Sequence, residues 1–319
     1  MTVSSPLPPG VDLDKLRFDP SDGAVVREPL GTGYGFWAGG AKVSFDEDTG
    51  KFVLFYRQRA PLEKGRGGFC AIAVSDDGVD FDDVWTATKE QLAATSIEVG
   101  HCLRDPSGEW RLYISYELAR ANAHWRIDVI RGRTIEGLDP QSRRTVLEAF
   151  VYGLRSVKDP VVYLRDGRYW MYLAAPHRRA PWQPGENLRV FPWEATLLGV
   201  SDDGLYFPEL RNVFESPGID RWDGTRARIN SLVPMSGGYL TLYDGARTYY
   251  DTYEEWCGLA WTTDGVNFER VPLEEPWVRS PYGCVRYVCG LRVGDEIFYY
   301  YEYTREDLSH DLRVARVHL

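Results

Sequence analysis

Gly167-Arg168-Tyr169-Trp170-Met171-Tyr172-Leu173 decides the fold, because it is one of five such stretches. Each is a glycine turn followed by a run of aromatic and aliphatic residues. The same pattern stands at Gly50–Tyr56, Gly108–Ile114, Gly238–Tyr243 and Gly294–Tyr300, and the glycines step by 58, 59, 71 and 56 residues. A near-constant period of this size marks a repeated supersecondary unit.

The unit extends in both directions. Upstream lies a short apolar strand ending in a turn, as in Val161-Val162-Tyr163-Leu164 before Arg165-Asp166-Gly167. Downstream comes a third strand and then a second marker: Ser75-Asp76-Asp77-Gly78-Val79-Asp80-Phe81, Ser201-Asp202-Asp203-Gly204-Leu205-Tyr206-Phe207 and Thr263-Asp264-Gly265-Val266-Asn267-Phe268. Asp-Gly suits a tight turn with positive φ, and the aromatic that follows can fill the gap between neighbouring sheets. Four strands per unit in radial repetition make a β-propeller. A β-sandwich would show similar strand numbers without the period.

The expected fold is therefore all-β: one five-bladed β-propeller domain over residues 1–319. Its blades are expected at about 36–94, 95–154, 155–224, 225–280 and 281–319. The last unit has only three strands of its own, so the N-terminal segment Leu16–Val26 is expected to supply the fourth and close the ring.

Composition narrows the partners. The 319 residues carry a net charge of −10, which argues against nucleic acid or an anionic membrane surface as partner. Aromatics make up 14% of the chain, including 20 Tyr and 11 Trp, a content that suits strands and surfaces that stack on sugar rings. Five cysteines without a CxxC spacing read as free thiols of a reducing cytoplasm, and the N-terminal residues lack the basic and apolar regions of a secretory signal. No apolar run approaches a membrane span. No metal-ligand spacing, P-loop or dinucleotide fingerprint is present, so no metal or cofactor is expected. The oligomeric state is not legible.

In a propeller the first strand of each blade lines the central channel. The period places these strands at Phe36–Val43, Ser96–Leu103, Ser156–Tyr163, Thr225–Leu232 and Tyr282–Val288. Their polar content is high: Trp37 and Lys42, then Glu98 and His101, Lys158 and Asp159, Arg226, Arg228 and Asn230, and finally Arg286 and Tyr287. Strand alternation would turn about half of these toward the channel. On that alternation His101, three residues after Glu98, is expected on the opposite side of its strand.

Ser156-Val157-Lys158-Asp159-Pro160-Val161-Val162-Tyr163, followed by Asp166-Gly167-Arg168-Tyr169-Trp170-Met171-Tyr172, resembles a motif of five-bladed propeller glycoside hydrolases of families 43, 32, 117 and 130. The resemblance implies a carbohydrate-active enzyme acting on a glycoside or acidic sugar-like substrate in the funnel. It places Asp159 where family 43 has the aspartate that tunes its general acid. Family 43 has a base aspartate on blade one, where this chain has Ala38-Gly39-Gly40. It has an acid glutamate on blade four, where this chain has Thr225-Arg226-Ala227-Arg228.

Glycoside cleavage needs an acid for the leaving oxygen and a second carboxylate as base or nucleophile. Asp159 and Glu98 are the catalytic candidates. Trp37, Lys158, Arg226, Arg228, Asn230, Arg286, Tyr287 and Trp182 are the substrate-binding candidates, Trp182 lying in the insertion Ala175–Trp193 that lengthens blade three. Glu98 could instead be one half of a structural ion pair. The arginines either hold an anionic substrate or neutralise Glu98, Asp159, Asp223 and Asp244. The expected partner is a small-molecule or oligosaccharide substrate. Two other classes remain open: a lyase, cyclase or isomerase acting on an anionic metabolite, and a carbohydrate-binding propeller without catalysis.

Overall fold

The structure is a computed structural model that describes residues 5–8, 10–118, 125–154, 156–176, 194–218, 221–248 and 255–319. The described strands group into five antiparallel four-stranded units. Blade one comprises Trp37–Asp46, Lys51–Arg59, Gly67–Ser75 and Asp82–Thr88. Blade two comprises Ala94–Arg104, Trp110–Leu118, Trp125–Gly132 and Arg144–Glu148. Blade three comprises Lys158–Arg165, Arg168–Pro176, Glu194–Ser201 and Leu210–Phe214. Blade four comprises Arg228–Met235, Gly238–Gly245, Trp256–Thr262 and Glu269–Arg270. Blade five comprises Val285–Val293, Glu296–Thr304 and His310–His318, with Ala24–Arg27 paired to its third strand. The first strands touch in succession, and blade five's returns to blade one's, so the ring is closed.

The N-terminal closing strand is shorter than the sequence predicts. Leu13–Leu16 is a single helical turn, and only Ala24–Arg27 pairs with the last strand. The reason is local. Asp19 accepts the Ser21 N–H at 2.8 Å, making a polar turn ahead of Gly23 that keeps the chain from extending earlier. Leu16 and Phe18 are used as core instead, with the Phe18 ring stacked 4.8 Å from Tyr299 and edge-on to Trp277.

Cores lie between blades rather than inside them. Phe55, Ile72 and Trp85 of blade one pack with Leu112, Ile114 and Tyr116 of blade two, and four further apolar clusters fill the other blade–blade interfaces. The alternation of apolar residues on both faces of each sheet is what this requires.

The second marker acts as a docking device. In blade three Ser201 Oγ accepts the Gly204 N–H at 2.9 Å, and Asp203 Oδ1 accepts from Leu205 and Tyr206. Gly204 takes φ +71°, and its carbonyl accepts the hydroxyl of Tyr113 from blade two at 3.0 Å. Blades four and one repeat this, with Tyr172 donating to Gly265 and Tyr300 to Gly78, both at 2.7 Å. The glycine alone has positive φ here; the aspartate caps the turn. Phe207 and Phe81 are buried behind it.

Candidate functional site

Every innermost strand carries a register shift at the same level. The shifts fall between Gly39 and Lys42, Ile97 and Gly100, Lys158 and Val161, Ile229 and Ser231, and Arg286 and Cys289. A bulge bends the strand and re-aims side chains, and bulges gather next to functional sites. Three bulges hold a left-handed residue: Gly40 at φ +65°, Asp159 at +55° and Tyr287 at +51°. For a residue other than glycine this costs of order 1–3 kcal/mol and persists only where the surroundings enforce it. The bulge also overturns simple alternation. His101 is buried and lies farther down the channel, its Nδ1 accepting the Val162 N–H at 2.9 Å.

At the bulge level the channel is filled by a buried ionic network. Arg57 Nε donates to Glu98 Oε2 at 3.2 Å, and Arg59 donates to Glu98 Oε1 at 2.8 Å. Arg57 also lies 3.0 Å from Glu302. Glu302 pairs with Arg286 at 2.7 Å, and Arg286 with Glu255 at 2.6 Å. Glu255 accepts from Arg226 and from Arg228, the latter at 3.3 Å. Arg228 closes the chain by pairing with Asp244 at 2.7 Å and Asp159 at 3.0 Å. Lys158 stands 3.3 Å from Asp159, and Arg226 3.3 Å from Glu194.

Tyr287 is the hub. Its ring faces Arg228 at 4.2 Å, Arg57 at 5.3 Å and Arg286 at 5.4 Å, while its backbone N–H donates to Asp244 at 3.0 Å. Stacking under guanidiniums uses the negative face of the ring. Trp37 lies under Arg286 and Arg59 and stacks on His310. Lys42 donates to Asn230 Oδ1 at 3.2 Å.

Nine of the ten sequence candidates therefore meet in one place. Trp182 lies outside the described residues. The chain of alternating charges joins Glu98 to Asp159 without direct contact between them. Seven cations (Lys42, Arg57, Arg59, Lys158, Arg226, Arg228 and Arg286) meet six carboxylates (Glu98, Asp159, Glu194, Asp244, Glu255 and Glu302), leaving the cluster one charge positive. The arginines thus neutralise buried carboxylates. Asp223 belongs elsewhere, paired with Arg221 and Arg270.

Burial opposes the ionisation of Glu98, but Arg59 and Arg57 outweigh it and hold the carboxyl well below the usual carboxylate range. With both oxygens engaged, Glu98 has the geometry of a structural ion pair. In Glu194, burial is likewise outweighed by Arg226, Lys158 and Arg228. Asp159 differs from Glu98: Oδ2 is held by Arg228 and Lys158, while Oδ1 is buried with no partner. Of the cluster's side chains only Lys158, at 23%, and Glu194, at 14%, expose more than a tenth of their surface. The accessible facet is therefore Lys158, flanked by Asp159 and Glu194, at the root of the blade-three insertion.

Arg57, Arg59, Glu194, Glu255 and Glu302 were not legible as candidates from the inner strands. For two of them a signal existed. In three blades the second strand ends its apolar run in a charge at a similar offset from the turn glycine: Arg57 follows Gly50 by seven residues, Asp244 follows Gly238 by six, and Glu302 follows Gly294 by eight. Among the described residues no group of three or more His, Cys, Asp or Glu is placed to hold a metal, the five buried cysteines form no disulfide, and no helix is long and apolar enough to cross a membrane.

No family model matches the sequence, and no curated protein matches it. Solved structures do. A thermostable family-43 glycoside hydrolase aligns with a TM-score of 0.65 at 15% identity, covering 92% of each chain. A family-43 enzyme from Xanthomonas citri, complexed with xylotriose, aligns at 0.63 and 12% identity over 92% of this chain and 90% of that one. The β-1,2-mannobiose phosphorylase of Listeria innocua, complexed with β-1,2-mannobiose, aligns at 0.59 and 15% identity over 93% of this chain and 96% of that one. At such identities the likeness is one of fold, and it runs the length of the chain. The protein has a β-propeller architecture like that of these three enzymes.

Proposed function

We propose that this protein is a carbohydrate-active enzyme that takes a glycoside at the facet formed by Asp159, Lys158 and Glu194. The observation that carries the reading is Asp159 itself. It is a buried carboxylate held in a left-handed conformation at a channel bulge, with one oxygen fixed by Arg228 and Lys158 and the other unpartnered. Such a group is pre-oriented for a ligand, and strained backbone gathers at working sites. Glu194, across Lys158, replaces Glu98 as the second carboxylate. Two carboxylates at a sugar serve as base and as stabiliser of an oxocarbenium-like transition state.

Glu194 is held ionised and Glu98 with it, so the cluster is rich in base and poor in proton donor. Cleavage is then expected to depend strongly on the leaving group, and aryl glycosides should react before alkyl ones. The same protonation pattern favours a second reading, elimination. Asp159 or Glu194 would remove the C5 proton next to the carboxylate of an acidic sugar, the C4=C5 bond would form as the C4–O bond to the leaving sugar breaks, that oxygen would take its proton from water, and Lys158 would balance the charge that develops on the carboxylate.

A panel of aryl glycosides and 4-O-linked uronic-acid oligosaccharides tests these readings, with wild type, Asp159→Asn and Glu194→Gln compared. Reducing sugar without ultraviolet absorbance of an unsaturated product is hydrolysis; with that absorbance it is elimination. Both variants should lose at least about a hundredfold in kcat while still binding. Saturable sugar binding with no turnover across the panel would leave a binding propeller instead.

A further inference from the structure

The channel has a second mouth. Beyond the ionic network the innermost strands run on to the opposite face, where a cavity of about 360 Å³ opens, large enough for a small organic ligand. It shares Val43, His101, Tyr163, Leu164, Leu291 and Arg292 with a neighbouring cavity of about 530 Å³. None of the charged residues of the ionic network lines either.

The smaller cavity has a definite chemistry. Its wall is aromatic, built by Tyr163, Trp170, Tyr172 and Tyr239. No carboxylate lines it, although the chain carries net charge −10, and two half-buried guanidiniums do, Arg165 and Arg292. Arg165 stacks over Trp170 at 4.8 Å, donates to the Asp264 carbonyl and lies 3.6 Å from the exposed Asp166 carboxylate, and Arg292 donates to the Pro234 carbonyl at 3.2 Å, so both are fixed in place.

His101 supplies the second, independent observation. Because Nδ1 accepts the Val162 N–H, the ring proton sits on Nε2. The residue is 4% exposed and lines both cavities; its ring lies beside the Val43 backbone, but no hydrogen bond of good geometry satisfies Nε2. Burial, reinforced by Lys42 and only partly offset by the Val43 backbone, pushes the imidazole down to about 3, so it stays a neutral donor at ordinary pH. A buried N–H whose neighbouring acceptor is poorly placed can take a better one from a ligand. Tyr163, whose hydroxyl oxygen accepts the Leu232 N–H at 2.8 Å, keeps its own proton to donate.

We infer that this second mouth is a binding site for a small aromatic carboxylate. Its ring lies against Trp170 and Tyr239, and its anionic group meets the His101 Nε2–H within the field of Arg165 and Arg292. The site is separate from the glycoside facet and does not depend on what reacts there.

Titration calorimetry and ligand-observed NMR with trans-cinnamate and the isosteric, neutral cinnamamide test it on the full chain. Cinnamate is expected to saturate one site and cinnamamide to bind at least about tenfold more weakly. His101→Phe should weaken cinnamate about tenfold, Arg292→Gln severalfold, and Leu164→Trp, a substitution at a partly exposed rim position, should abolish binding by filling the cavity. Asp159→Asn, at the other end of the channel, should leave binding intact. Equal affinity for acid and amide overturns the assignment, as does cinnamate binding that survives Leu164→Trp or no saturation with cinnamate at millimolar concentration. If His101→Phe does not fold, the Leu164 and Arg292 variants decide.

Discussion

Glu302 occupies the space that a side chain on Gly39 would need. A Cβ built on Gly39 would fall 1.8 Å from Glu302 Cγ. Blade five thus inserts its carboxylate over the blade-one position where the family resemblance leads one to look for a base. Burial opposes ionisation of Glu302, but Arg286 and Arg57 hold it far below the usual carboxylate range. Gly39→Ala should displace Glu302 and leave Arg57 and Arg286 short of a partner, at a cost of about 3–5 kcal/mol in chemical denaturation. The double substitution Gly39→Asp with Glu302→Gly returns a carboxylate to the same space and should recover part of that loss. A double variant no more stable than Gly39→Ala would sink this account, because it relieves the clash and restores the carboxylate together.

Arg228 touches Asp159, Asp244 and Glu255 at once. Arg228→Met removes the cation and leaves three buried carboxylates under-compensated, so it should destabilise by about 3–5 kcal/mol or prevent folding. Arg228→Lys keeps the charge but not the planar fork and should lose less. Comparing their urea midpoints with wild type is the measurement.

Stability should fall on the acid side in two stages. His310 is pushed down to about 4 by burial, partly offset by its hydrogen bond to Glu302. The unfolded chain, with histidine near about 6.5, therefore takes up protons that the folded chain does not, and stability declines as pH drops from there toward 4. Glu255 is pulled down to about 2, its burial outweighed by Arg286, Arg226 and Arg228. Its contribution is present above the unfolded value and is lost as pH falls toward 2. His310→Asn should shrink the first stage, which the buried His101 shares, and Glu255→Gln the second, which Glu98 and Glu302 share, read from unfolding free energy against pH.

Tyr287 acts through its ring face rather than its hydroxyl. Tyr287→Phe keeps the surface under Arg228, Arg57 and Arg286 and should cost less than about 1 kcal/mol. Tyr287→Leu removes it and should cost about 2 kcal/mol or more. Thermal melts of the two variants that coincide would remove the aromatic face from the account.

Tyr113, Tyr172 and Tyr300 each donate to a marker glycine of the next blade. Each Tyr→Phe change should cost about 1 kcal/mol. Because the three lie at different interfaces, the triple variant should lose close to the sum. Gly204→Ala should be worse than any of them, since its Cβ would lie 2.4 Å from the Tyr113 hydroxyl at φ +71°.

The sequence by itself determined the period, the blade type and the convergence of its innermost strands. Turn glycines, capped Asp-Gly markers and apolar alternation are local signals, and each is satisfied within a few residues of where it is read. Those signals also sufficed to bring Trp37, Glu98, Asp159, Arg228, Asn230 and Arg286 into one channel. Tertiary structure alone decided who pairs with whom. The bulges that set side-chain direction at Asp159 and Tyr287 depend on neighbouring strands. Glu302 and Glu255 enter from the second and third layers of their blades, Glu302 meeting Arg57 from the opposite end of the sequence and Glu255 meeting arginines of two different blades. A charge at the end of a strand has no address until the ring closes, because its energy depends on distance to partners that the linear order does not contain.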